Sequence, residues 1–167
     1  MKKPLRTQKV LAETLSMDLR PGVLLELVIT SDPALLCVVR GAVEQLADAL
    51  GFPPEDCHAV TLALDEAIAN IIRHAYGGRD GQPIAVDFRK VRRRSRGGLE
   101  EGLEILLRDR GPAVDPAKLC GRDLDDVRPG GLGLHFIRQS VDTAKYSRVG
   151  DFNQWTLTKY RKPAKRR

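Results

Sequence analysis

The sequence predicts an α+β two-layer sandwich: a mostly antiparallel, mixed sheet of about five strands, with three main helices on one face. Three observations lead there. The patterns run strand, helix, helix, strand, strand, helix, strand, strand, so helices and strands are segregated rather than alternating as in repeated βαβ units. The second helical pattern carries a well-defined apolar stripe, which a layer of strands would cover. The final strand pair is joined by the turn-forming run Gly150-Asp151-Phe152-Asn153.

Each element has its own signal. Residues 23–30 are rich in Leu, Val and Ile and read as a strand. Ser31-Asp32-Pro33 then offers a capping residue followed by proline at the first helical position. A helix over 33–50 follows, stopped by Gly51. Pro53-Pro54-Glu55-Asp56 opens a second helix running to Tyr76, and Gly77-Gly78 ends it. Residues 83–91 and 103–109 read as strands, with the arginine-rich 92–98 between them as a hairpin loop. The Gly-, Pro- and Asp-rich stretch 111–131 reads mostly as a lid-like loop. Residues 132–141 form a third helix, and 144–149 and 154–160 are the closing strands.

This gives three parts: an N-terminal extension over 1–22, one domain over 23–160 and a basic C-terminal tail over 161–167. The 167 residues suit one sizeable core, and 42% apolar with 30% charged residues is the composition of a globular chain, not a disordered one. No apolar run approaches the roughly 20 residues of a membrane span, and no secretory signal follows the charged N-terminus. Cys37, Cys57 and Cys120 are odd in number and widely spaced, so reduced thiols in a cytoplasmic protein are expected. The net charge of +6 is concentrated in the N-terminal tail, residues 89–96 and residues 159–167. These read as solvated loops and tails. No aromatic residue interleaves the 92–96 run, which argues against direct nucleic-acid binding.

The second helix is the most informative segment. At about 100° per residue, Val60, Leu64, Ala67, Ile68, Ile71 and Ala75 fall in one arc of about 100°, the core stripe. Glu66, Asn70 and His74 lie beside it along one edge, spaced one turn apart. Ala59 and Ala63 share that sector and leave room for a neighbour. A carboxylate and a carboxamide one turn apart can divide the work of phosphoryl transfer. The Asn70 amide oxygen is a hard neutral ligand for Mg²⁺, and Glu66 can accept a proton from an attacking hydroxyl. The same pattern also describes a solvated polar edge. His74, near the helix end, favours the helix dipole and carries no catalytic assignment.

Two further motifs follow. Asp109-Arg110-Gly111-Pro112 ends an apolar strand: the carboxylate can accept a hydrogen bond from an exocyclic amine, and the glycine lets a flat ring approach the backbone. Pro129-Gly130-Gly131-Leu132-Gly133-Leu134 opens the third helix, and backbone N–H groups of such a turn cradle phosphate. It is neither a Walker A loop nor a dinucleotide fingerprint.

The ordered trio resembles the GHKL superfamily of gyrase-type ATPases, Hsp90, histidine kinases and MutL. Glu66-Ala67-Ile68-Ala69-Asn70 matches the N box, Asp109-Arg110-Gly111 the first glycine box and Gly131-Leu132-Gly133-Leu134 the second. Within that group the chain is most similar to the anti-sigma-factor serine/threonine kinases, through the helix ending His74-Ala75-Tyr76, through Val141-Asp142 and through Asn153 at the closing turn. The resemblance implies a Bergerat-type fold with ATP and Mg²⁺ as cofactors. Asn70 would hold the metal, Asp109 would bind the adenine amine beside Gly111, and Gly131, Leu132 and Gly133 would approach the phosphates. Glu66 would be the general base toward a partner's serine or threonine. The implied partners are an anti-anti-sigma (STAS-type) protein and a sigma factor or other protein regulator, in a chain free to form a homodimer. The alternative is a non-catalytic ATP-binding switch that controls its partner by binding alone. Residues 92–96 map to no feature of that group.

Overall fold

The computed structural model describes residues 22–96, 98–114 and 133–161. Five strands, β1 (Val23–Thr30), β2 (Pro83–Ser95), β3 (Gly98–Asp109), β4 (Thr143–Val149) and β5 (Phe152–Tyr160), form one sheet in the order β1-β2-β3-β5-β4. Every pairing is antiparallel, where the sequence suggested a mixed sheet. The connections explain this. Two helices separate β1 from β2, so β2 returns in the opposite direction. The single helix between β3 and β4 makes those two strands run parallel, but β5 inserts between them and no parallel ladder forms.

The helices are α1 (Leu36–Ala49), α2 (Pro54–Asn70) and α3 (Gly133–Ser140). Asp32 caps the first helical region: its Oδ1 accepts from Ala34 N at 2.9 Å, and a 3₁₀ turn over Pro33–Leu35 leads into α1. Gly51 ends it with φ +77°, a conformation a side chain would resist. Val39, Val43 and Ala47 of α1, Val60, Leu64 and Ile68 of α2, and Ile137 of α3 bury against Ile84, Val86, Phe88, Leu103, Ile105, Leu107 and Leu157. The strand residues alternate, so one face of the sheet is the core face. Ala63, expected beside open space, is fully buried, so packing uses up the room that the small side chains leave.

Two boundaries differ most from the sequence reading. Residues 92–95 and 98–101 are not loop: β2 and β3 continue through them in register, Arg92 opposite Glu101 and Arg93 opposite Glu100. Cross-strand ion pairs, Arg92 Nη2 to Glu101 at 3.0 Å and Arg93 Nε to Glu100 at 2.7 Å, make the arginines strand formers here. The second difference is the end of the second helix. After Asn70 the chain widens into a π-helical turn, Ile71–Ala75, in which Tyr76 N donates to Ile71 O five residues back at 3.0 Å. Gly77 and Gly78, both at positive φ, then end the segment.

The lid-like expectation for 111–131 lies mostly outside the described residues. Gly131, Leu132 and Cys120 lie outside them too. Cys37 is exposed and Cys57 buried, both free thiols.

Candidate functional site

The second helix and the end of β3 face one another along one line. Glu66 and Asn70 are half-buried on α2. The first residue of α3 sits directly on both. A methyl group at Gly133 would collide with the Glu66 carboxylate and lie 3.1 Å from Asn70 Nδ2. Nine residues further along the same helical run, roughly 13 Å at 1.5 Å per residue, Ala75 meets the other end of the site. A Cβ at Gly111 would lie 2.6 Å from Ala75 Cβ and 2.8 Å from Ala75 O. Gly111 is therefore a close approach between two backbones, not a flexible joint.

Asp109 ends β3, only 2% exposed. Its Oδ1 accepts from Gly111 N at 2.8 Å and from Asn153 Nδ2 at 2.8 Å, and its Oδ2 has no hydrogen bond among the described residues. Burial pushes the carboxyl pKa up, while the Asn153 amide, the Gly111 N–H and the Arg148 guanidinium pull it back. The result is a desolvated carboxylate, oriented through one oxygen by Gly111 and Asn153.

Asn153 is the organiser, and it does not sit at the turn: Gly150 and Asp151 make the turn, and Asn153 lies within β5, directly opposite Asp109. Besides Asp109, Nδ2 donates to Pro112 O at 3.0 Å and Gly111 O at 3.2 Å. Its Oδ1 accepts from Tyr146 Oη at 2.7 Å and Arg148 Nη1 at 2.8 Å. Arg148 also donates to Gly111 O at 2.8 Å, and Tyr146 Oη accepts from Val114 N at 3.0 Å. The chain leaving β3 is thus held by one asparagine and its two partners. Tyr76 holds the other side: its hydroxyl donates to Pro83 O at 2.5 Å and accepts from Arg110 N at 3.0 Å. Burial raises its pKa to about 12.

Arg73 is a further residue the sequence reading passed over. Its Nη2 lies 3.0 Å from Glu66 Oε1, and its Nε donates to Ala69 O at 3.2 Å. Seven residues on from Glu66 is two turns, about 20° from the same line, so the spacing was the available signal. His74 is exposed and takes no part.

The donor set near Glu66 suits a particular kind of cofactor. Among the described residues no group of three His, Cys, Asp or Glu side chains could hold a metal unaided. One neutral carboxamide, Asn70, fits an ion such as Mg²⁺ that draws its other ligands from phosphate and water.

Residues 29–159 match the family model described as the histidine kinase-like ATPase domain. The chain belongs to the histidine kinase-like ATPase family. ATP use comes with that family. The chain is 32% identical over 108 residues to the serine/threonine-protein kinase BtrW of Bordetella bronchiseptica, covering 62% of this chain and 70% of that one. It is 27% identical over 129 residues to the serine-protein kinase RsbW of Bacillus pumilus, covering 71% and 75%. These relatives place the chain in the protein-kinase branch of the histidine kinase-like ATPases. The fold is also that of the SiaB–SiaC complex structure from Pseudomonas aeruginosa, with a TM-score of 0.53 at 16% identity over 95% of this chain and 99% of that one. The RsbU and RsbW domains of a Mycobacterium tuberculosis protein match with a TM-score of 0.52 at 18% identity over 84% of this chain, which spans 34% of that longer one. No helix among the described residues is long and apolar enough to cross a membrane.

Proposed function

We propose that this chain is an ATP-dependent serine/threonine protein kinase of the anti-sigma-factor type, one that phosphorylates an anti-anti-sigma (STAS-type) partner and sequesters a sigma factor or a related regulator by binding it. The observation that carries this is the two-ended site along one helical run. Gly133 presses on Glu66 and Asn70 at one end, and Ala75 presses on Gly111 beside Asp109 at the other. Adenine, ribose and triphosphate laid end to end cover a distance of that order.

In this reading Oδ2 of Asp109 accepts the adenine amine, and Gly111 gives the ring its room. Asn70 holds Mg²⁺, which neutralises charge on the phosphates when bound. Backbone N–H groups at the start of α3, Gly133 among them, face the phosphates. Gly131 and Leu132 are proposed to belong to the same turn. The partner's hydroxyl oxygen attacks the γ-phosphorus, the bond to the bridging oxygen breaks, ADP leaves, and the hydroxyl proton passes to Glu66.

The non-catalytic switch is favoured by one observation: Glu66 Oε1 is paired with Arg73 and covered by Gly133 in this arrangement. A single substitution separates the two readings. Glu66→Gln keeps size and helix propensity but removes the proton acceptor. We expect ATP binding and partner binding to persist while phosphate transfer falls by roughly 10²–10⁴-fold. A radiolabelled-phosphate assay beside a binding assay reads both. Unchanged transfer would remove Glu66 as the base, and absent transfer in the wild type with ATP-dependent partner binding intact would establish the switch.

A further inference from the structure

Two carboxylates sit side by side on α2, and each has an arginine of its own. Asp65 is held by Arg40 of α1, with Nε 2.8 Å from both carboxylate oxygens and Nη2 2.6 Å from Oδ2. That pair ties two helices together. Glu66 is held by Arg73, Nη2 to Oε1 at 3.0 Å. Here both partners lie on one helical run, so the pair joins no two elements of the fold, and an exposed pair of that kind contributes little stability. Its consequence is the direction in which Glu66 points.

The pair is built over two turns. Side chains at i+3 and i+4 are the ordinary partners on a helix, and from Glu66 those positions are Ala69 and Asn70, neither of them charged. Arg73 lies a further turn on and reaches back toward the N-terminus, the direction in which helical side chains lean. The small Ala69 side chain leaves the path open, and the Ala69 carbonyl accepts from Arg73 Nε at 3.2 Å. The planar guanidinium is therefore pinned through two of its nitrogens, although the arginine side chain is 56% exposed. Glu66, with 26% of its side chain exposed, meets that plane with Oε1. The start of α3 closes on the same oxygen: a Cβ at Gly133 would overlap Oε1 and lie 2.9 Å from Cδ. One carboxylate oxygen is boxed between Arg73 and α3, and those two contacts set the direction of the other.

Phosphoryl transfer leaves a protein little covalent work, so orienting the attacking hydroxyl carries much of the gain. A carboxylate in that role needs a fixed direction, because a reacting group displaced by a fraction of its own size loses rate steeply. A guanidinium anchored at a second point supplies the direction. We propose that Arg73 is a positioning residue for the phosphate-transfer step, acting through Glu66: it holds Oε1 so that Oε2 faces the incoming serine or threonine hydroxyl. The inference rests on Glu66 being the base of the kinase reading. The hydroxyl proton goes to Oε2, the hydroxyl oxygen bonds to the γ-phosphorus, and the bond to the bridging oxygen breaks with its electron pair leaving on ADP. Arg73 gives up no proton. The contact that engages one oxygen of Glu66 thus aims the other.

The test uses the full chain, radiolabelled ATP with Mg²⁺, and as acceptor a purified STAS-type protein that the wild type phosphorylates, found from a panel of such proteins. Transfer rates, KM for ATP and calorimetric ATP affinities are measured for wild type, Arg73→Ala, Glu66→Gln and the double variant. Alanine is a good helix former and Arg73 is exposed, so the fold should survive. We expect Arg73→Ala to slow kcat by roughly 10–10²-fold, the scale of a misplaced reacting group, with KM and Kd for ATP within about twofold of wild type. In the Glu66→Gln background the same substitution should cost less than about twofold further, because the base it would position is gone. A pair that only decorates the helix predicts an unchanged kcat for Arg73→Ala. Direct contact of Arg73 with ATP predicts a Kd weakened about tenfold or more, and the full loss of rate repeated in the Glu66→Gln background. Either result overturns the proposal alone. A wild-type chain that binds ATP yet phosphorylates none of the panel, or a Glu66→Gln variant with wild-type transfer, overturns the kinase reading and the proposal together.

Discussion

Asn153→Ala tests whether the adenine end of the site is built by one side chain. The amide nitrogen gives Asp109 one of its two hydrogen bonds among the described residues, at 2.8 Å, and also serves Pro112 O and Gly111 O. Alanine removes the donor from a residue only 1% exposed, so water has little access to replace it. Losing a hydrogen bond to a buried charge costs about 1.5–3 kcal/mol. Gly111 O keeps its bond from Arg148, and the partly exposed Tyr146 and Arg148 can turn to water, so they add little. A total loss of about 2–4 kcal/mol of stability is expected from urea unfolding. The electrostatic consequence is more specific. Burial already raises the Asp109 pKa, and Asn153 is the largest influence opposing it. A raised folded pKa means that the ionised form is lost as pH falls through that raised value, and removing Asn153 moves the loss to higher pH. Calorimetric ATP titration at several pH values should therefore show the variant losing affinity at a higher pH than wild type. Wild-type stability, or an identical pH dependence of affinity, would refute the argument that Asn153 holds Asp109 ionised.

Two further perturbations probe the site's supports. Gly111→Ala places a Cβ 2.6 Å from Ala75 Cβ and 2.8 Å from the Ala75 carbonyl, so backbone must move; a stability loss of about 1–3 kcal/mol and a large drop in ATP affinity are expected, and a variant with wild-type affinity would show that the ring does not lie there. The Tyr76 hydroxyl loses its proton near pH 10 in the unfolded chain but near 12 when folded, so the folded state holds the proton more tightly in that window. Stability should fall as pH rises from about 10 to about 12, by about 2–3 kcal/mol in total. Tyr76→Phe should remove that slope in alkaline denaturant titrations, and an unchanged slope would assign it to other groups.

What the sequence made legible follows from distance along the chain. Glu66 and Asn70 share one helix, and a 3.6-residue period alone sets them on one line. Asp109 and Gly111 are two residues apart at the end of an apolar run, so their partnership was local as well. Asn153 and Tyr76 act across 44 and 34 residues, on Asp109 and Arg110 respectively, and no period reports such contacts. The π-helical turn was hidden for a different reason: Ile71 to Ala75 suit an α-helix equally well, and nothing local marks the wider turn after which Ala75 meets Gly111 and the Tyr76 hydroxyl reaches Pro83 O. The arginine run misled because a string of like charges reads as loop until its partners are known. Glu100 and Glu101 lie seven to nine residues on, and only the hairpin register sets them opposite Arg93 and Arg92. Register is thus the missing quantity in each strand error. It also sets Asn153 opposite Asp109, so an asparagine placed at a turn by local signals is, one pairing later, the residue that completes the site.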